Sequence, residues 1–240
     1  MNTISFHKKN VKMIAHRGLS GIEKENTCSA FVAAGNRSYF GIETDVHVTA
    51  DGKYIVIHDE NTDRVAQDCV DVEKSTFDTL RKIRLADRDG VKGRIDLLLP
   101  SLTEYISICK KYEKTAVLEL KNYMEPEHIA GIVEEIRSCG YLDRVIFISF
   151  CLENLIALRA LLPEQPAQYL IEGSVPADLL DTLARYRLGL DLQYDLLTPA
   201  LVEAVHALGQ QVNVWTVNLP EEGEALAEMG ADMITSNILE

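Results

Sequence analysis

The sequence predicts a (β/α)8 TIM barrel, an α/β fold, with a small insertion after the second strand, and three observations carry that reading. Short apolar or β-branched runs alternate with segments of helical period from Lys12 to the last residues, the pattern of parallel strands joined by crossover helices. With the return arm of one hairpin set aside, the strands number about eight. No Gly-x-Gly-x-x-Gly follows the first strand, which disfavours the structural alternative, a doubly wound open sheet.

Lys12 to Ala15 is a short apolar strand that runs straight into His16, Arg17 and Gly18. After a polar loop, Thr27 to Ala34 reads as a helix, with Asn26 or Thr27 as N-cap and Gly35 closing it. Phe40 to Val48 and Tyr54 to Ile57 are strand segments. From Glu60 to about Leu97 periodicity fades and charge accumulates, which marks the insertion, with a short helix near Ser75 to Ile83. Pro100, Ser101 and Leu102 open a helix to about Tyr112, ahead of a strand from Thr115 to Lys121. The helix from Pro126 to Ser138, backed by Gly140, leads to a strand from Arg144 to Ser149, and the helix from Leu152 to Leu162 stops at Pro163. Ala167 to Ile171 is a weaker strand, Pro176 to Tyr186 a helix with proline at its start, and Leu188 to Leu192 a strand. Pro199 to Leu208, Gln211 to Val217, Glu221 to Met229 and Asp232 to Thr235 repeat the helix and strand cycle to the end.

The hairpin organises the chemistry. Asp51-Gly52 supplies the positive φ angles of a tight turn, so the segment from Tyr54 folds back antiparallel on the segment from Phe40. With that dipeptide at the centre, 50 faces 53, 45 faces 58 and 43 faces 60. Side chains alternate in a strand, so Glu43 and Asp45 share one face and His58 is expected across from Asp45 on it. Ile42, Val46, Val48, Ile55 and Ile57 imply that the opposite side is covered.

Length and composition bound the function. The 240 residues show no Gly/Ser-rich or Pro-rich linker and no repeat, so one domain over 1–240 is expected, with the insertion at approximately 59–97. A net charge of −13, spread along the chain, disfavours nucleic acid and anionic membranes as partners. A small anionic substrate remains compatible, because a metal ion or a local Arg/Lys pair reverses the field inside one cleft. No signal-like or membrane-spanning run is found, which points to a cytoplasmic protein without stable membrane association. The 5 cysteines lack CxxC spacing and read as reduced packing residues.

In such barrels the site lies at the C-terminal ends of the strands. There stand His16 and Arg17, Glu43 and Asp45, Glu119 and Lys121, Ser149 and Phe150, Asp191 and Gln193, and Trp215, with His58 returned by the hairpin. Glu43, Asp45 and Glu119 offer three hard oxygen ligands of the kind that suits Mg2+ or Ca2+; a salt-bridge network with Arg17 and Lys121 is the competing account. His16 and His58 are candidates for general base and acid. Arg17 has a fork of donors matched to phosphate, Lys121 a second positive charge, and each also serves to neutralise the acids. Glu25 and Asn26 sit above the first strand, placed to orient ligands or to cap a helix, and Trp215 is either a pocket wall or core. His7, His47, His128 and His206 read as surface or core residues.

At these residues the sequence resembles the glycerophosphodiester phosphodiesterase family. The matching motifs are Ala15-His16-Arg17-Gly18, Glu25-Asn26-Thr27, Ile42-Glu43-Thr44-Asp45-Val46 with Thr49-Ala50-Asp51-Gly52, Val56-Ile57-His58-Asp59, Pro100-Ser101-Leu102, Leu118-Glu119-Leu120-Lys121, Ser149-Phe150 and Val214-Trp215-Thr216-Val217. The resemblance implies hydrolysis of glycerophosphodiesters to glycerol 3-phosphate and an alcohol with a divalent cation. It also implies His16 and His58 as the acid/base pair, Glu43, Asp45 and Glu119 as metal ligands, and Arg17 and Lys121 as the phosphate grip. Two departures stand out: Asn61 to Ser75 is acidic and glycine-free, and the family's closing Thr-Asp is Thr235-Ser236, which removes a carboxylate behind the last strand. A lysophospholipase D-like activity, a Schiff-base chemistry at Lys121 and a barrel kept only for binding are the alternatives.

Overall fold

The computed structural model describes residues 2–240; Met1, which begins the polar N-terminal segment, lies outside the described residues. Eight parallel strands close into a barrel among the described residues: β1 (Lys12–Ala15), β2 (Gly41–Val48), β4 (Thr115–Leu120), β5 (Val145–Ser149), β6 (Ala167–Ile171), β7 (Gly189–Gln193), β8 (Val212–Trp215) and β9 (Met233–Ser236). Closure is made by β1, which pairs β9 on one side and β2 on the other. The remaining strand, β3 (Tyr54–Val56), runs antiparallel to β2 outside the ring. Helices α1 (Cys28–Gly35), α4 (Leu102–Lys111), α5 (Pro126–Ser138), α6 (Leu152–Leu161), α7 (Leu179–Tyr186), α8 (Pro199–Ala207) and α9 (Pro220–Met229) connect the barrel strands, and the insertion carries the short α2 (Asp63–Ala66) and α3 (Phe77–Leu80).

Local chemistry sets these boundaries. Thr27, rather than Asn26, caps α1 by accepting from the Ala30 amide. Ser101 and Glu104 form a reciprocal capping box on α4, and Thr198 caps α8 ahead of Pro199. Helix α7 starts later than the Pro176 onset that the sequence implies, because the Leu179 amide closes a turn on the Pro176 carbonyl before helical bonding begins.

Alternation divides the barrel strands between two environments. Their outward residues join the main core with the helices, whereas Ile14, Val117, Ile146, Ile148, Leu170 and Met233 form a separate cluster with Phe40 and Trp215 against it. The insertion builds a third cluster, in which Ile55 and Ile57 pack on Val65, Val72, Leu80, Leu85, Leu97 and Leu99. Each fully buried aliphatic side chain there contributes about 1.5–3 kcal/mol, so the insertion is held to β3 by hydrophobic burial as well as by polar contacts.

The hairpin register differs from the expected one by one residue. Val46 pairs with Val56 and Val48 with Tyr54, so Thr49 faces Lys53 and the loop is Ala50, Asp51 and Gly52, with Gly52 at φ 71°. The cause lies in what captures the turn: the Ala50 amide donates to the Ser75 carbonyl of the insertion, and Thr49 Oγ1 bonds Asp51 Oδ1 at 2.7 Å and accepts from the Lys53 amide at 3.0 Å. Residue 45 therefore faces 57, whose amide donates to the Asp45 carbonyl, and His58 is not the strand partner of Asp45. Pairing ends at Val56, and His58 reaches the barrel mouth because the chain has left the ladder.

Candidate active site

The metal-ligand candidates are fixed by strand register. Asp45 on β2 and Glu119 on β4 are direct partners across a parallel pair, and Glu43 is on the same face of β2 as Asp45. One carboxylate oxygen from each of the three lies within 4.8 Å of the others, and all three residues are buried. Burial raises the Glu43 carboxyl well above its ordinary range, with the Asp45 charge adding to it, and the same two causes push Glu119 up to about 8. Burial acts in the same direction on Asp45, but Arg17, His58 and Lys121 together overcome it and hold Asp45 well below the usual carboxylate range. Three buried hard oxygen donors at this separation fit a divalent cation, which would replace the protons the glutamates otherwise keep.

Arg17 and Gly18 follow β1 in left-handed conformations, φ 53° and 73°. At Gly18 a Cβ would come within 2.7 Å of Ala30 on α1, so only glycine fits there. This turn aims the Arg17 amide at Glu43 Oε2, 2.7 Å away, and its guanidinium at Glu25 Oε1, 2.9 Å away, with Nε 3.7 Å from Asp45 Oδ2. Lys121 is 2.9 Å from Glu119 and 3.8 Å from Asp45. Burial lowers the Lys121 pKa, but Glu119 and Asp45 outweigh it and raise the ammonium above its ordinary range, which keeps it charged and poorly nucleophilic. Asn26 donates through Nδ2 to Asp45 Oδ2 at 2.7 Å. The salt-bridge network and the ligand cluster thus share Asp45 and Glu119.

His16 and His58 open onto one cavity of about 530 Å3 together with Arg17, Glu43, Glu119, Lys121, Phe150, Asp191 and Trp215. His16 Nδ1 lies 2.7 Å from Asn237 Oδ1, which commits the Nδ1 proton and leaves Nε2 as the lone pair. Burial, then the Arg17 charge, lowers its pKa to about 4. His58 Nδ1 bonds Asp59 Oδ1 at 2.7 Å. Burial lowers its pKa as well, opposed by Asp45 and by Asp59. Arg64 on α2 bonds Asp59 at 2.7 Å and Glu25 at 2.6 Å, so an alternating row Arg17, Glu25, Arg64, Asp59 and His58 ties the insertion to both loops.

Several contributors escape sequence reasoning. His47 is fully buried; its ring bridges Glu73 Oε1 at 2.9 Å and the His58 carbonyl at 3.2 Å, and Asn122 donates to the same Glu73 oxygen. Glu73 and Asn237 carry no local spacing signal, since each meets its histidine from far along the chain, and Arg64, though close to Asp59 in sequence, reaches Glu25 from 39 residues away. Asp59, adjacent to His58, was detectable from the His-Asp dipeptide alone. Trp215 forms part of the wall, edge-on to Phe150 at 5.6 Å between ring centres.

A closed barrel with two histidines, a carboxylate cluster and two cations at its C-terminal mouth has the parts for acid/base hydrolysis of an anionic ester. Residues 16–239 match the model of the Glycerophosphoryl diester phosphodiesterase family, and the chain belongs to that family as a phosphoric diester hydrolase. A glycerophosphodiester phosphodiesterase of Caldanaerobacter subterraneus subsp. tengcongensis is 28% identical over 227 residues, covering 94% of this chain and 93% of its own. Glycerophosphodiester phosphodiesterase 1 of Mus musculus is 25% identical over 261 residues, covering 96% and 79%. Among solved structures, an Oleispira antarctica phosphodiesterase in complex with the product sn-glycerol-3-phosphate superposes with a TM-score of 0.87 at 27% identity, over 98% of this chain and 96% of that one.

Proposed function

We propose that this chain hydrolyses glycerophosphodiesters to glycerol 3-phosphate and an alcohol, with Mg2+ or Ca2+ held by Glu43, Asp45 and Glu119. The observation that carries this reading is the convergence of Glu43, Glu119, Arg17, Lys121, His16 and His58 on one cavity, with Asp45 in the same carboxylate cluster. The cation, when bound, would supply positive charge to the phosphodiester oxygens as negative charge develops on them. Arg17 and Lys121 grip the phosphate from the chain's own side, and Trp215 walls the pocket.

The two histidines divide the proton transfers. His16, neutral at working pH and with Nε2 unprotonated, accepts a proton from the nucleophile, either water or the neighbouring glycerol 2-hydroxyl. His58, whose pKa burial lowers against the opposing pull of Asp45 and Asp59, donates a proton to the leaving oxygen from its imidazolium form. The hydroxyl route passes through a cyclic phosphate, which short-time assays detect as a product. Exposed Tyr123, Phe150, Val175 and Leu219 on loops following barrel strands favour a second reading, a lysophospholipase D-like activity in which the glyceryl group retained on the phosphate carries an acyl chain. Among the described residues no helix is long and apolar enough to cross a membrane.

The test is release of glycerol 3-phosphate from glycerophosphocholine and glycerophosphoethanolamine, with EDTA and with Mg2+ or Ca2+ restored. Cation-dependent release supports the proposal. Choline release only from lysophosphatidylcholine, leaving lysophosphatidic acid, shifts it to lysolipids, and no hydrolysis of any of the three overturns it.

A further inference from the structure

Two residues that line the cavity each carry a buried polar atom with no hydrogen-bond partner: Asp191 Oδ1 on β7 and Trp215 Nε1 on β8. Asp191 is 1% exposed. Opposite it in the β7 and β8 register is Asn213, and two residues further along β8 on the same face is Trp215, so both open groups belong to one pair of neighbouring strands. Asn213 donates to Thr235 at 3.0 Å and also hydrogen-bonds the Asp191 carboxyl, yet Asp191 Oδ1 is left open. Ile148, Leu170 and Phe150 line the same cavity and carry no polar side-chain atom, while Thr216, Thr235 and Glu172 are the other polar residues on that side.

Burying such groups costs about 1–3 kcal/mol each unless something satisfies them. A barrel that filled these two positions with apolar residues would be easier to fold, so their place in the substrate cavity needs a chemical reason. Trp215 Nε1 is a donor only, and therefore needs an acceptor that an alkylammonium group lacks. Asp191 accepts when ionised and donates as well when protonated. A hydroxyl is the group that matches both, accepting from the indole and donating to the carboxyl, and adjacent hydroxyls match them one each.

We propose that Asp191 and Trp215 Nε1 form a subsite for the hydroxyl groups of a polyol part of the substrate. This rests on the phosphodiesterase reading of the same cavity. The polyol has two sources, the glyceryl group common to all glycerophosphodiesters or a polyhydroxy leaving alcohol, and the shared chemistry is the hydroxyl pair.

The test compares wild type with Asp191→Leu, Asp191→Asn and Trp215→Phe on glycerophosphocholine, propylphosphocholine and glycerophosphoglycerol. If the subsite holds the glyceryl group, Asp191→Leu lowers kcat/KM at least about tenfold on both glycerophospho substrates, mostly through KM, and spares propylphosphocholine. If it holds the leaving alcohol, only glycerophosphoglycerol is affected. In either case Asp191→Asn, which keeps a donor and an acceptor, stays within a few-fold of wild type, and Trp215→Phe, which keeps a ring, shows the same substrate pattern as Asp191→Leu. Equal losses on all three substrates, or losses confined to the two choline diesters, overturn the proposal. Should wild type hydrolyse none of them, the phosphodiesterase reading fails and the subsite is read by binding instead. Glycerol or myo-inositol then raises the Tm of wild type but not of Asp191→Leu, and no shift in wild type overturns the subsite.

Discussion

The Asn26 amide donates to Asp45 Oδ2 at 2.7 Å while its carbonyl accepts from Thr44 Oγ1 at 2.7 Å. A residue expected to cap a helix or orient a ligand thus performs the second task, locked by its strand neighbour, and Thr27 performs the first. Removing the amide takes away the short bond to Asp45 and leaves its carboxylate only the longer contacts to Arg17 and Lys121. Asn26→Ala is expected to weaken cation affinity or activity by about 10–100-fold, read by titrating Mg2+ against turnover. An unchanged titration would show that Asp45 needs no such support.

Cation binding itself should appear as stability. A cation at 100 times its Kd adds about 2.7 kcal/mol to a protein that binds it only when folded. Thermal unfolding with EDTA and with excess Mg2+ or Ca2+ is expected to show an upward Tm shift in wild type that Asp45→Asn abolishes. Equal shifts in both proteins would place the ion elsewhere.

The histidine assignment predicts an asymmetry. His16→Ala and His58→Ala should each lower turnover by about 10²–10⁴-fold on a choline diester. With a p-nitrophenyl leaving group, which departs without protonation, His58→Ala should recover most of its loss and His16→Ala none. Recovery in the His16 variant instead would exchange the two roles. Because His16 is lowered to about 4, its protonation should not suppress kcat/KM until the pH approaches that value.

Arg64 is the insertion's link in the charged row, bonded to Asp59 and Glu25 but half exposed itself. Arg64→Ala is expected to reduce kcat by roughly tenfold with little change in Tm, since exposed ion pairs contribute little stability whereas a group that orients a reacting side chain affects rate. A large drop in Tm with kcat unchanged would make the row purely structural.

Asp191 makes a pH prediction of definite sign. Burial raises its carboxyl to about 7 in the folded protein, against an ordinary value of 3.8, partly offset by hydrogen bonding from Asn213. Below about pH 4 the carboxyl is protonated in both states and imposes no ionisation penalty. As pH rises from there through 7 the unfolded chain ionises first, so stability falls and the loss levels off above the folded value. Asp191→Asn should therefore be more stable than wild type near pH 8, and the gap should close on acidification. A constant gap across that range would mean that the carboxyl is not held protonated.

The barrel was legible because its parallel strands are nearly continuous apolar runs separated by capped amphipathic helices. The residues that converge on the mouth were legible too, since strand ends in a closed barrel have one destination. What failed was the register at Asp51-Gly52, where a dipeptide that favours a two-residue turn is overruled by Thr49 and by the Ser75 carbonyl, a contact from 25 residues away. The same kind of distant partner explains why Glu73 and Asn237 gave no signal, and why His47, apparently a mere core imidazole, was not connected to His58.

His58 stands on a stretch that belongs to no barrel strand, while the three acidic ligand candidates, Arg17 and Lys121 belong to the ring and its immediate turns. In the proposed mechanism, holding the substrate and finishing the reaction consequently fall to separable parts of the chain. The ring can keep its grip through changes of sequence and length in the excursion beyond β3, provided that the His47 and Arg64 anchors survive. Variation in that excursion can therefore alter how a departing alcohol is protonated and released without rebuilding the machinery that recognises its phosphate.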